Sequence, residues 1–153
     1  MSELSGTERV QINTVYLIDD SDDEAFLAKR LIKRANLQLA IEVFPTLARF
    51  FAYTRSAPDV LVNRSLMIVD LYLDLELGTD VIPRVISTCP MMIVGMSTGS
   101  VDPRDRRKAL ESGARFYVGK PLDGACIESI CEQINGLELS QTDEGLYMFY
   151  RAD

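Results

Sequence analysis

Short apolar runs alternate with amphipathic stretches along most of this chain. The apolar runs fall at 15–18, 40–44, 66–69, 91–97 and 116–118. Runs this short and this continuous have the pattern of strands buried on both faces of a parallel sheet. Between the first two, Ser21-Asp22-Asp23-Glu24 has the form of a capping box, which predicts a helix start. Ala28, Leu31, Ile32 and Ala35 give that helix a buried side, and its acidic first turn and the basic residues Lys29, Arg30, Lys33 and Arg34 suit the two ends of the helix dipole. A second helix is expected over 46–54 (Leu47, Phe50, Phe51), broken by Ser56-Ala57-Pro58. A third runs from a Thr79 cap to near Thr88, with Pro83 tolerable only in the first turn. Asp102-Pro103 supplies an N-cap and a proline at the first helical position of a fourth, which ends at Gly113. Ile127, Ile130, Cys131 and Ile134 form the i, i+3, i+4, i+7 stripe of a fifth, stopped by Asn135-Gly136. The connection 58–65 has no assigned element: Val60-Leu61-Val62 extends a strand or packs as a loop.

Five strand–helix alternations without an internal repeat predict an α/β fold, a parallel sheet wound on both faces by right-handed crossovers. A chain of 153 residues suits one domain. It divides into a flexible N-terminus at 1–12, a domain at 13–136, and a tail at 137–153 with no output domain. The tail's Leu146-Tyr147-Met148-Phe149-Tyr150 is apolar enough to dock on a partner or dimer surface.

Composition narrows the function. Apolar residues make up 47% and charged residues 25%, as in soluble globular proteins. No run approaches the ~20 apolar residues of a membrane span, and the first ten residues lack a signal peptide's apolar core. The expectation is a cytoplasmic protein without membrane contact. The formal charge of −7 argues against nucleic-acid binding, which leaves a basic footprint. Cys89, Cys126 and Cys131 lack metal-ligand spacing and are read as reduced thiols. There is no histidine, which removes Ser-His-Asp and Cys-His catalysis, most catalytic zinc sites and a phosphohistidine donor role.

The strand ends hold the candidate chemistry. The first run ends in Asp19-Asp20, the third in Asp70, the fourth in Thr98 and the fifth in Lys120. In a parallel sheet these ends share one edge, where ligands bind in open α/β folds. Three carboxylates in one place repel. A hard divalent cation such as Mg²⁺ resolves the conflict, since it takes oxygen ligands, often one or two carboxylates plus phosphate oxygens. A lysine and a hydroxyl opposite would bind the remaining phosphoryl oxygens.

This ordered set resembles the receiver domain of two-component response regulators over roughly 14–134. It rests on Ile18-Asp19-Asp20, Val69-Asp70 with Gly78 eight residues on, Thr98, Gly113-Ala114, Tyr117 and Lys120-Pro121. The resemblance implies a flavodoxin-like (βα)5 fold with strand order 2-1-3-4-5. It implies Asp70 as phosphoacceptor, and Mg²⁺ or Mn²⁺ held by Asp19, Asp20, Asp70 and the backbone carbonyl of Tyr72. Lys120 would pair with the phosphoryl group, and the Lys120–Pro121 bond would be cis. Thr98 and Tyr117 would move as the switch that reshapes the face of the fourth helix, fifth strand and fifth helix. The implied partners are a sensor histidine kinase or histidine phosphotransfer protein, and a downstream protein target or a second copy of the chain. The chain departs from the family pattern in its longer approach to Asp70 (58–65), in Asp74 where many members have proline, in adjacent Ser97 and Thr98, and in Gly95, a possible bulge within the fourth strand.

Three rival readings stand beside it. A haloacid-dehalogenase-like phosphatase would carry a second Asp two residues after the nucleophile, where this chain has Tyr72. A pseudo-receiver would act by binding alone, without phosphorylation. A flavin-binding domain would need a phosphate-cradling loop after the first strand, where Asp19-Asp20-Ser21-Asp22-Asp23 repels phosphate.

Overall fold

The computed structural model describes residues 8–100 and 102–152. A five-stranded parallel sheet is built from β2 (Thr14–Ile18), β3 (Ala40–Phe44), β4 (Ser65–Asp70), β5 (Met92–Thr98) and β6 (Tyr117–Gly119) in the order β3-β2-β4-β5-β6. Counted along the five expected strands, this is 2-1-3-4-5. Helices α1 (Asp22–Arg34), α2 (Leu47–Ser56), α3 (Gly78–Thr88), α4 (Pro103–Glu111) and α5 (Gly124–Gln133) connect or follow these strands.

The period of two along each strand divides the core. Val15 and Leu17, Leu66 and Ile68, and Ile93 pack with Ala28 and Ile32 of α1 and with Ile127 and Ile130 of α5. Tyr16 and Ile18, Met67 and Val69, and Val94 and Met96 pack with Phe50 of α2, Val81, Ile82 and Val85 of α3, and Ala109 of α4. The helices are anchored where the caps predict: Ser21 Oγ accepts from the Glu24 N–H at 3.2 Å and Asp102 Oδ1 from the Arg104 N–H at 2.9 Å. Gly95 is no bulge. Strand β5 runs unbroken through it, and the ring of Phe116 lies where a Cβ would stand, 2.4 Å away.

Four expectations change. The connection 58–65 folds into a 3₁₀ turn, Pro58–Leu61, that tucks Val60 into the core before β4 begins at Ser65. Helix α3 starts at Gly78, not at a Thr79 cap, so Pro83 falls inside it, on the solvent side. The flexible N-terminus expected at 1–12 lies outside the described residues through residue 7, but Arg9–Ile12 is a strand, β1. The segment at 137–153 is no loose tail: β7 (Leu137–Thr142) and β8 (Gly145–Arg151) form a hairpin, and β8 pairs antiparallel with β1. This second sheet, β1-β8-β7, buries Ile12, Leu137 and Met148 against the α1/α5 side of the core. That apolar face is the physical reason the segment folds back. The three cysteines are unpaired, Cys89 buried and the other two half-buried.

Candidate functional site

The site forms because β2, β4 and β6 end together. Asp19 follows β2, its N–H donating to the Phe44 carbonyl of β3 at 3.0 Å. Asp70 is the last residue of β4, in register with Ser97 of β5. Lys120 follows β6, and its N–H donates to the Thr98 carbonyl at 2.9 Å. The peptide bond from Lys120 to Pro121 is cis. Gly78 is required by close approach: a Cβ there would stand 2.5 Å from the Asp70 carbonyl oxygen, so the β4–α3 loop can fold back against the acid only at glycine.

At the centre is one ammonium among three carboxylates. Lys120 Nζ donates to Asp70 Oδ2 at 2.9 Å, to Asp19 Oδ2 at 3.1 Å and to Glu24 Oε1. The Lys120 side chain is 14% exposed and the Asp19 side chain 2%. Burial works against the lysine charge, but Glu24, Asp70 and Asp19 outweigh it and hold the ammonium pKa well above the ordinary lysine value. Burial raises the Asp19 pKa, although the Ser21 N–H and Lys120 both oppose the shift. The remaining oxygens are held by backbone: Asp19 Oδ1 accepts from the Ser21 N–H at 2.9 Å and Asp70 Oδ1 from the Tyr72 N–H at 3.1 Å.

Of the residues singled out in the sequence, the structure brings Asp19, Asp70 and Lys120 together. Asp20 is adjacent, but its Oδ2 accepts from the Asp74 N–H at 2.6 Å, so its carboxylate ties down the β4–α3 loop. Thr98 is buried and its Oγ1 accepts from the Ser100 N–H at 3.1 Å. Its neighbour Ser97, with Asp19, Glu24 and Lys120, lines a cleft of 280 Å³ beside the site. Tyr117 lies at the start of β6, and its hydroxyl is buried without a hydrogen-bond partner among the described residues.

Glu24 was missed as a site residue. The capping box accounts for it fully, because its side chain is expected to reach back to the Ser21 N–H. Here Asp19 takes that N–H instead, and Glu24 is left to reach Lys120. An acid two residues before the cap was the available signal.

The donor set fits a hard cation. Asp19, Glu24 and Asp70 each place a carboxylate oxygen within 4.8 Å of the others. Two of these acids are buried around a single ammonium, an excess of negative charge that a divalent ion with oxygen ligands would relieve. Among the described residues no helix is long and apolar enough to cross a membrane.

No family model matches the chain. Among curated proteins it is similar to protein-glutamate methylesterase/protein-glutamine glutaminase 3 of Burkholderia thailandensis, with 28% identity over 138 residues, 88% of this chain and 37% of that protein. The chain therefore spans little more than a third of that relative's length. Among solved structures it is similar to a two-component response regulator from Cytophaga hutchinsonii, with a TM-score of 0.68, 24% identity, and coverage of 81% of this chain and 97% of that one. It is also similar to a response regulator protein from Burkholderia pseudomallei described with a phosphorylated aspartic acid, a calcium ion and citrate. That match has a TM-score of 0.60, 19% identity, and coverage of 77% of this chain and 65% of that one.

Proposed function

We propose that this chain, whose fold is that of the response-regulator receiver domains, takes up a phosphoryl group on Asp70 and passes the change to a protein partner. The observation that carries this reading is the buried Asp70 carboxylate sharing the Lys120 ammonium with Asp19 at the carboxyl edge of a parallel sheet.

The donor in this reading is a phosphohistidine on a sensor kinase or phosphotransfer protein, a group this chain cannot supply because it has no histidine. An oxygen of Asp70 attacks phosphorus, the phosphorus–nitrogen bond breaks, and the imidazole leaves with the electron pair. Lys120 then moves its ammonium from the carboxylates to the new phosphoryl oxygens, the charge-assisted contact for which its position is suited. Asp19 and Asp70, with Asp20 once it releases Asp74 and with the Tyr72 carbonyl, would hold Mg²⁺ or Mn²⁺. That ion supplies neutralisation of the charge spread over the transferred group. Thr98 and Tyr117 serve as the switch and α4, β6 and α5 as the responding face, whose occupant is a downstream protein or a second copy of the chain. The module is a phosphoacceptor and not a turnover enzyme, working in the cytoplasm. The activity in the name of the Burkholderia thailandensis relative stays with that longer protein.

The test is labelling with a small phosphodonor and Mg²⁺. The wild-type protein is expected to gain one hydroxylamine-labile phosphoryl group and Asp70→Asn none. Label that persists in Asp70→Asn, or a wild-type protein that never labels, overturns the assignment. The second outcome would favour a phosphorylation-independent binding module, a reading that draws on the Asp20 carboxylate being engaged by Asp74. A pull-down comparing the two phosphorylation states would then identify the partner.

A further inference from the structure

Tyr72 reaches in two directions from one residue. Its backbone N–H donates to Asp70 Oδ1 at 3.1 Å, while its hydroxyl donates to the Asp105 carboxylate, 3.0 Å from Oδ1 and 3.2 Å from Oδ2. Asp105 belongs to the first turn of α4, so this single side chain ties the phosphoacceptor loop to that helix. Asp105 sits within the polar stretch Arg104-Asp105-Arg106-Arg107-Lys108, yet it is 2% exposed while Tyr72 is 55% exposed. Among the described residues no cation lies within ion-pair distance of Asp105; the guanidinium of neighbouring Arg104 is committed to Asp102 at 2.8 Å. A buried carboxylate in this position needs a hydrogen-bond donor, and among the described residues the Tyr72 phenol is the donor it has.

A second phenol waits nearby. Among the described residues the Tyr117 hydroxyl is buried without a hydrogen-bond partner, and burial together with the charge of Asp105 raises its pKa. Its main chain cannot relieve this, because Gln133 of α5 clamps it on both sides. The Tyr117 N–H donates to Gln133 Oε1 at 3.0 Å, and the Tyr117 carbonyl accepts from Gln133 Nε2 at 3.1 Å. Only the side chain is free to find an acceptor. Tyr117 packs against the core cluster that holds Ala109, one turn along α4 from Asp105, so its unmet hydroxyl and a carboxylate held by another hydroxyl have two alternative pairings.

We propose that Asp105 is an acceptor shared by two tyrosines: Tyr72 holds it in the resting protein, Tyr117 takes it when Tyr72 is drawn away, and the exchange carries the state of Asp70 to α4. The link to Asp70 rests on the function proposed above, since phosphorylation changes the carboxylate to which the Tyr72 N–H is bonded. The shared acceptor itself does not. Asp105 is thus a positioning residue acting through Tyr72 and Tyr117.

The test uses the unphosphorylated full chain, so it stands apart from the phosphoacceptor reading. Tyr72→Phe and Tyr117→Phe delete only a hydroxyl. Amide hydrogen exchange in the second half of α4 is expected to change less than about twofold in either single variant and to accelerate about fivefold in the double variant, the loss of roughly one net hydrogen bond. The ζ-carbon resonance of Tyr117 is expected to shift in Tyr72→Phe and to stay in place in Tyr72→Phe/Asp105→Ala. A double variant whose α4 exchange equals the wild type, or only the product of the two single effects, overturns the proposal, as does a Tyr117 resonance indifferent to Tyr72→Phe. Phosphodonor labelling in parallel reports on Asp70: its failure in the wild-type protein would remove the phosphoacceptor reading and leave the exchange result standing.

Discussion

Lys120→Met removes the one positive charge at the site while keeping most of the side chain's length. It leaves Asp19 and Asp70 buried with no counter-charge, and Glu24 half-exposed beside them. Removing one partner of a buried ion pair costs about 3–5 kcal/mol. The lower end applies because Glu24, 46% exposed, returns to water with little loss. The expected loss is therefore about 3 kcal/mol at pH 7, or roughly 6–12 °C in Tm for a chain of this size. The pH dependence has a definite sign. Lys120 has its pKa raised on folding, so its stabilisation is fully present below the ordinary lysine value and is lost only as pH rises above it. Asp19 also has its pKa raised, so its contribution is greatest in acid and declines as pH rises through its folded value. Without Lys120 that second effect grows. The variant should recover toward wild-type stability on acidification to about pH 4, close to the ordinary carboxylate range. Mg²⁺ at pH 7 should restore part of the loss by binding the folded state. Urea unfolding at both pH values, with and without Mg²⁺, measures all of this. A loss independent of pH, or below about 1 kcal/mol at pH 7, would refute the reasoning, because it would mean that the two acids are not charged and confined in the way the distances imply.

Other perturbations probe other parts of the structure. Glu24→Gln should cost less than about 1 kcal/mol in urea unfolding, since the pair it breaks is half-exposed; a cost like that of Lys120→Met would place Glu24 inside the buried cluster. Gly78→Ala puts a Cβ 2.5 Å from the Asp70 carbonyl and should cost about 1–3 kcal/mol of overpacking while slowing Asp70 labelling, measured on the same folded sample. Met148→Ala, in the fully buried centre of β8, should cost about 2–5 kcal/mol of global stability by calorimetry, where a detachable tail would cost almost nothing.

The parallel sheet and the centre of the site were legible because each depends on a local signal. An apolar run that stops at a carboxylate marks both the strand and its carboxyl end and places Asp19 and Asp70, while Lys120 is placed by the apolar run 116–118 that precedes it. What was illegible depends on distant pairings. Arg9–Ile12 is only four residues, three of them exposed, and it becomes a strand because Met148 and Tyr150 lie opposite Ile12 and Val10. The hairpin β7–β8 does carry an alternating pattern and a turn at Thr142-Asp143-Glu144-Gly145, but two strands alone are marginal in water. Its stability comes from the third strand and from the core beneath it. Asp105 gave no signal at all. Its neighbours Arg104, Arg106, Arg107 and Lys108 read as a solvated face, and they are exposed; only the fold turns the one acid among them inward.

Of the departures from the receiver pattern, the longer approach to Asp70 meets the second sheet at one place. Strand β1 is separated from β2 by Asn13 alone, which sets the second sheet at the amino-terminal edge of the parallel one, opposite the edge that carries Asp70. The lengthened approach to β4 reaches the same region. Its Arg64 donates to the Met91 carbonyl at 3.1 Å and lays its guanidinium over the ring of Tyr150 in β8, 4.8 Å from the centroid. Val10, Tyr16, Val60, Arg64, Met91 and Tyr150 enclose a cleft of 470 Å³ between the two additions. Arg64 therefore joins the approach to β4 to the second sheet at that end. The carboxyl edge keeps the short loops that hold Asp19, Asp70 and Lys120 in reach of one another. Gly78 falls eight residues after Asp70 and Lys120 22 residues after Thr98, both at the edge opposite the second sheet.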